Sequence, residues 1–116
     1  MTLDDYQKQL EQDPYAVLAW HGYLGLLLEE GHLLEMRSKL EKMLQLLPES
    51  REAWVIAGNI FRKTGDFTKA KDCYEQAFHS HFNNKGILSG LIDCYENLGE
   101  EENLSEIQLI MRIMES

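Results

Sequence analysis

Glycines recur along this chain at a fixed spacing. Gly31, Gly65 and Gly99 follow one another at one constant interval, and the same interval separates the only two tryptophans, Trp20 and Trp54. The interval lies within the range, about 20 to 50 residues, that is typical of proteins built from one repeated supersecondary unit. The spacing constrains the fold more than any other feature, and it predicts about three copies of one unit.

Each of these glycines lies between two segments in which apolar residues recur at helical spacing. Glycine adopts at no steric cost the left-handed conformation that ends a helix, so each one predicts a tight turn between two helices. The prolines, Pro14 and Pro48, and the Asn83-Asn84 pair are predicted to end helices at the other side of the unit. The unit is therefore a helical hairpin, and the predicted class is all-α. The apolar positions after the first two turns are Leu33, Met36, Leu40, Met43 and Leu44, then Phe67, Ala70, Tyr74, Ala77 and Phe78.

The units resemble the tetratricopeptide repeat, whose unit of about 34 residues contains Trp, then Leu-Gly, Tyr, Ala, an aromatic residue and Pro. The resemblance implies a right-handed superhelical stack of antiparallel helix pairs, an α-solenoid of about three repeats with atypical ends. Residues 51–84 match best, residues 17–50 match well, and the unit from Lys85 departs most. The residues that carry the match are Trp54, Ala57, Gly58, Phe61, Gly65, Asp66, Ala70, Tyr74 and Ala77, with Phe82 where the family has proline, and Trp20, Leu27, Gly31, Leu40 and Pro48.

The predicted organisation is a single domain over residues 1–116. A chain of this length can bury a hydrophobic core without disulfides or a bound metal. Residues 1–16 are interpreted as a partial or capping helix, because Tyr6, Leu10 and Pro14 fit the end of a unit. Repeats follow at 17–50, 51–84 and 85–116, the last degenerate and closed by a capping helix.

Composition excludes several classes of partner. The formal net charge is -9, and no cluster of Lys and Arg forms a basic stripe, so nucleic acid is not expected. The N-terminal segment contains Asp4 and Asp5, and the longest apolar run, Leu24–Leu28, is too short to span a bilayer. No membrane insertion is expected, and the predicted location is the cytoplasm, although a chain trimmed of its signal would look the same.

Residues that could support catalysis or metal binding are few. Cys73 and Cys94 are interpreted as buried free thiols, and His79 and His81 are two positions apart, which directs them away from each other on a helix. No phosphate-binding loop, nucleophile elbow or zinc motif occurs. The prediction is a protein that is not an enzyme and needs neither cofactor nor metal.

The resemblance also implies where a partner binds, because the first helix of each unit lines the concave groove in the family. Apolar groove residues would seat hydrophobic side chains, Asn59 would bind the backbone of an extended peptide, and a basic partner residue would face Asp93 and Glu96. For Glu52, Asp93 and Glu96 individually, a plain solvated surface is the more frequent case. The implied peptide-binding residues are Leu18, His21, Gly25, Leu28, Glu52, Val55, Asn59, Arg62, Gly86, Ser89, Asp93 and Glu96.

Two subsets of the family bear on the partner. The carboxylate clamp for chaperone tails needs basic residues where His21, Gly86 and Gly90 stand, so that interpretation is rejected. A dedicated client chaperone, similar to the small chaperones of bacterial secretion systems, stays open as an alternative.

The last segment, residues 100–116, contains more apolar residues than one buried stripe requires. Leu109, Ile110 and Ile113 are left over after ordinary capping, as a patch for self-association or for a docking partner. The favoured function is a scaffold or adaptor that binds a peptide or helix of another protein. The alternatives are a self-associating assembly protein and the dedicated client chaperone.

Overall fold

The computed structural model describes residues 1–80 and 84–116, without the side chains of His79 and Ser80. The described residues form helices and no strand, which confirms the predicted all-α class. The predictions made for His81, Phe82 and Asn83 lie outside the described residues. In chain order the helices are α1 Leu3–Gln12, α2 Val17–Glu29, α3 Leu33–Leu46, α4 Arg51–Lys63, α5 Phe67–Ser80, α6 Lys85–Leu98 and α7 Glu101–Glu115.

The three equally spaced glycines form the turns that the sequence predicts. Gly31, Gly65 and Gly99 have φ values of 80°, 83° and 71°, and no other residue that the structure describes has a positive φ. In the first turn the Gly31 amide donates to the Leu28 carbonyl at 3.1 Å, and the next amide, of His32, donates to the Leu27 carbonyl at 2.9 Å. The same pair of bonds recurs at the other two glycines. All three turns are therefore Schellman motifs, which cap the carbonyl end of one helix and reverse the chain.

The chain divides into two compact units, Met1–Ala53 and Trp54–Ser116. The first contains α1, α2 and α3, and α2 packs against both neighbours. Trp20 donates its indole N–H to the carbonyl of Pro14 at 2.8 Å, which ties the turn after α1 to α2. The Tyr6 ring of α1 covers Gly22 of α2, where no side chain intervenes. The buried residues of α2 and α3 are Ala19, Trp20, Tyr23, Leu24, Leu27, Met36, Leu40 and Met43.

The boundary between the units falls within α4. The second unit contains α4 from Trp54 onward, together with the helices α5, α6 and α7. Its core cluster lies mainly on α5 and α6, and α7 adds Ile107. Asn84 begins α6, because its side-chain oxygen accepts from the Ile87 amide at 3.1 Å. The core residues are Ala70, Tyr74, Ala77, Ile87, Leu88, Leu91, Cys94, Tyr95 and Ile107.

Candidate functional site

The predicted groove residues of α2 lie on its exposed side. Leu18 is 84% exposed, His21 and Gly25 are exposed, and a Cβ placed on Gly25 would meet nothing within 4 Å. Leu28 is half-buried. These residues follow one another at helical spacing, opposite the face that carries Trp20, Tyr23 and Leu27 into the core. The first unit thus presents an open apolar and histidine-bearing strip on α2.

Glu52 lies in the first turn of α4 and is exposed, as expected for a solvated acid. Its carboxylate lies 3.5 Å from the Arg51 guanidinium, and the Ser50 hydroxyl donates to it at 3.4 Å. A hydrogen bond from its own backbone amide, and then these neighbours, lower the pKa of Glu52. These contacts belong to the start of the helix, where an acid favours the positive end of the dipole.

In the second unit, a row of polar side chains runs from α4 to α6. Arg62 of α4 places its Nε 3.8 Å from the carboxylate of Asp93 on α6. Asn59, one turn before Arg62, accepts a hydrogen bond at Oδ1 from the hydroxyl of Tyr74. We call Asn59, Arg62 and Asp93 the α4–α6 row. The sequence places all three in the predicted groove, and the structure brings them together.

Tyr74 of α5 contacts two of the three residues of this row, Asn59 and Arg62. Burial raises the pKa of Tyr74 to about 12, so its phenol stays protonated and donates at neutral pH. The Arg62 guanidinium lies 5.8 Å from the centre of the Tyr74 ring, within cation–π range. One buried tyrosine therefore fixes both residues that α4 contributes to the row.

The Asn59 amide has a free donor group as a result. Its carbonyl oxygen is engaged by Tyr74, and the Nδ2 group has no acceptor among the residues that the structure describes. An amide with a fixed orientation and an unpaired N–H group suits a backbone carbonyl of an extended segment.

Asp93, which was predicted to face a basic partner residue, already contacts two side chains of this chain. Asn97 donates to its carboxylate at 3.0 Å, and Arg62 neutralises part of its charge. Ser89 and Glu96, also on α6, are exposed, and Val55 of α4 is half-buried because it packs against the core cluster. A basic residue of a partner would meet Glu96 more readily than Asp93.

Two of the three residues predicted to form an apolar patch on α7 are exposed. Leu109 and Ile113 are 52% and 65% exposed, and they are one helical turn apart. Ile110 departs from the expectation, because it is partly buried and packs against the core cluster. The exposed apolar surface of α7 is therefore the apolar pair Leu109 and Ile113.

Two clefts, of about 320 Å³ in the first unit and about 330 Å³ in the second, involve none of the residues in the predicted groove or patch. Sequence reasoning missed them, and it missed that Gly90, as well as Gly58, lies against the Tyr74 ring. The available signal was that Tyr6 precedes Gly22 by the same interval at which Tyr74 precedes Gly90.

Neither a metal-binding cluster nor a membrane-spanning helix is found in the part of the chain that is described. No group of three His, Cys, Asp or Glu residues there could hold a metal ion, and Cys73 and Cys94 are buried free thiols. No helix within residues 1–80 and 84–116 is long and apolar enough to cross a membrane.

Comparison with known proteins does not assign the chain to a family. No protein-family model matches it, and no curated protein matches its sequence.

Proposed function

We propose that this chain is an interaction module of the tetratricopeptide type, a right-handed stack of helix pairs that binds a segment of another protein. The α4–α6 row supports this most directly, because Tyr74 holds Asn59 and Arg62 in place while the Asn59 Nδ2 group lacks an acceptor among the described residues. The three Schellman turns, which recur at one constant interval, support the repeat architecture. No catalytic role is proposed.

The row suits an extended segment with mixed chemistry. A backbone carbonyl would accept from Asn59, an acidic partner group would share the Arg62 guanidinium, and a basic one would face Glu96. Apolar side chains would contact the exposed part of Val55. Since Tyr74 already orders Asn59 and Arg62, binding would cost little side-chain entropy at these two positions.

Selection from a random peptide display library on the purified chain tests the proposal. The decisive variant is Asn59→Asp, which keeps an acceptor for the Tyr74 hydroxyl but replaces the free N–H donor by a second acceptor. We expect selected peptides to lose at least about tenfold in affinity, the equivalent of one hydrogen bond left unpaired.

The matched control is Gln45→Glu on α3, which adds the same negative charge at an exposed position outside the row. It should leave both affinity and helicity unchanged. Selected peptides that bind the Asn59→Asp variant as well as the native chain would contradict the role of the row, and so would a library that yields no binder.

The apolar pair favours self-association as a second function. Leu109 and Ile113 are exposed together on α7, and a pair of this kind is often covered by a partner. Light scattering after size exclusion should give a mass that rises with concentration, and the double change Leu109→Gln with Ile113→Gln should abolish the rise. Leu18→Gln, which alters an even more exposed leucine on α2, should not. A monomer at every concentration would exclude this function and leave a docking partner or chaperone client for the pair.

The proposed location is the cytoplasm. Cys73 and Cys94 are free thiols within the core, a state that a reducing compartment maintains.

A further inference from the structure

A cleft of about 330 Å³ opens in the second unit between α6 and α7, and we call it the α6–α7 cleft. Ile92 of α6 and Met111 of α7 form its apolar part, and both are partly buried against the core cluster. Gln108, Arg112 and Glu115 of α7 supply its polar groups, and all three are exposed. No residue of the α4–α6 row or of the apolar pair lines this cleft.

The residues of the cleft have counterparts one glycine interval earlier in the same unit. The α4–α5 pair and the α6–α7 pair are each joined by a Schellman turn, at Gly65 and at Gly99. Residues at this offset therefore occupy equivalent places on the two helix pairs. The counterparts are Ile92 and Gly58, Gln108 and Tyr74, Met111 and Ala77, and Arg112 and Phe78.

A helix covers the equivalent surface of the α4–α5 pair. The ring of Tyr74 lies against the backbone of Gly90 on α6. Tyr74 and Ala77 are buried in one core cluster with Ile87 and Leu91, which also belong to α6. The chain itself therefore shows what kind of element packs on this surface, namely the apolar face of one further helix.

The direction of such a helix follows from the packing of α6 on α5, which is antiparallel. Lys71, in the first half of α5, donates to the carboxylate of Glu100, beyond the end of α6, at 2.8 Å. The last turns of α5, where Phe78 lies, are therefore beside the start of α6. A helix that packs in the same way on the α6–α7 pair starts beside Arg112, the counterpart of Phe78.

The charges at the cleft complement the start of a helix with an acidic first turn. Neither Arg112 nor Glu115 forms an ion pair with any described residue. Arg112 would receive a carboxylate from the first turn, where acids are favourable in any helix. Glu115 would accept from the free N–H groups at the same helix end. A cation in the last turn of α7 also suits the dipole of that helix, but this role does not explain the apolar cleft beside it.

We propose that the α6–α7 cleft docks an amphipathic helix of another protein, one with an acidic first turn. The apolar face of this helix lies on Ile92 and Met111, and its acid contacts Arg112. A second copy of this chain does not supply the helix through the exposed strip of α2, because α2 has no acid in its first turn. The site goes beyond the proposed binding at the α4–α6 row, with which it shares no residue.

NMR titration of the labelled chain tests the proposal with two synthetic amphipathic peptides of 14 residues, the length of α6. Both peptides have leucines on one face; one has two glutamates in its first turn, and the other has two lysines there. We expect the glutamate peptide to shift the methyl signals of Ile92 and Met111 and to bind about tenfold more tightly, a factor typical of one charge-assisted contact. General attraction to a chain of net charge -9 would favour the lysine peptide instead.

Two variants and a matched control locate the contact. Arg112→Glu should reverse the preference, whereas Arg37→Glu, the same change at an exposed position of α3, should leave it intact. Gln108→Trp should abolish binding of both peptides, because the larger side chain fills the cleft from an exposed position. Circular dichroism of each variant checks that its helices are retained.

Three results would overturn the proposal: equal affinities of the two peptides for the native chain, a glutamate preference that survives Arg112→Glu, and shifts centred away from Ile92 and Met111. Light scattering adds a fourth. A mass above that of the monomer that returns to the monomer on Gln108→Trp would assign the cleft to a second copy of this chain.

Discussion

The ring of Tyr74 lies so close to the backbone of Gly90 that a Cβ built on this glycine would be 2.5 Å from the ring. Gly58, on the other helix that Tyr74 contacts, would place a Cβ 2.8 Å from the same ring. The tyrosine of α5 is therefore held between α4 and α6, with one glycine on each side. Because its hydroxyl also positions Asn59, the close approach of these helices determines where the α4–α6 row stands.

Replacement of Gly90 by alanine is expected to destabilise the chain. The added methyl group cannot fit without moving a fully buried ring, and overpacking of this kind costs about 1–3 kcal/mol. The better helix propensity of alanine offsets up to about 1 kcal/mol of this cost. With the full offset, urea unfolding followed by circular dichroism should therefore give a net loss of up to about 2 kcal/mol.

Gly25→Ala is the matched control, since its Cβ would meet nothing within 4 Å on the exposed face of α2. At this position only the higher helix propensity of alanine acts. We therefore expect Gly25→Ala to raise the free energy of unfolding by about 0.5–1 kcal/mol. If Gly90→Ala is as stable as Gly25→Ala, the contact with Tyr74 does not limit the packing.

The turns give a second prediction. Gly65 has a φ of 83°, a conformation that costs an alanine about 1–2 kcal/mol. Gly65→Ala should lose that amount in urea unfolding, whereas Gly65→Asn should lose clearly less, because asparagine tolerates the left-handed region. Equal losses for the two variants would show that space at the turn, and not the dihedral angle, sets the penalty.

The turns and the helices were predictable because they depend on local rules. A glycine that recurs at one constant interval, with an apolar pattern on each side, fixes where helices end whatever they pack against. The role of Asn84 as the residue that begins α6 was not predicted, because asparagine stops one helix and caps the next equally well, and the sequence pattern does not separate these roles.

The site was less predictable, because its properties depend on contacts between residues far apart in sequence. The family resemblance placed Asn59 and Asp93 in the predicted groove. It did not predict that the hydroxyl of Tyr74 engages Asn59 or that the guanidinium of Arg62 pairs with Asp93. The cleft of about 320 Å³ in the first unit was missed for a related reason, because its lining residues come from three helices and lie far apart in the sequence.

The cysteines should be unreactive in the folded chain. Burial raises the pKa of Cys73 to about 12 and that of Cys94 to about 11, so almost no thiolate is present at pH 8. We expect iodoacetamide to modify neither thiol at pH 8 without denaturant and both in urea, as followed by mass spectrometry. Ser89→Cys in a chain with both native cysteines changed to alanine provides an exposed thiol on α6 as the positive control. Native thiols that react as fast as this cysteine would contradict their burial.

The same thiols make stability depend on alkaline pH. Their ordinary pKa is 9.0, so the unfolded chain loses these protons near pH 9 while the folded chain keeps them until about pH 11–12. Deprotonation therefore favours the unfolded state, and the free energy of unfolding should be constant below pH 9 as far as the thiols are concerned and fall above it. Each thiol contributes up to about 1.4 kcal/mol per pH unit in that range.

Tyr74 adds to this fall above pH 10, since burial raises its pKa from 10.0 to about 12. Changing Cys73 and Cys94 to alanine should remove the part of the fall that begins near pH 9 and leave the part due to tyrosine. Replacement of both thiols also costs some packing, but that loss is the same at every pH and does not alter the slope. Urea unfolding between about pH 7 and about pH 10.5 measures both slopes. If the double variant loses stability as steeply as the native chain between pH 9 and pH 10, the buried thiols are not the groups that titrate.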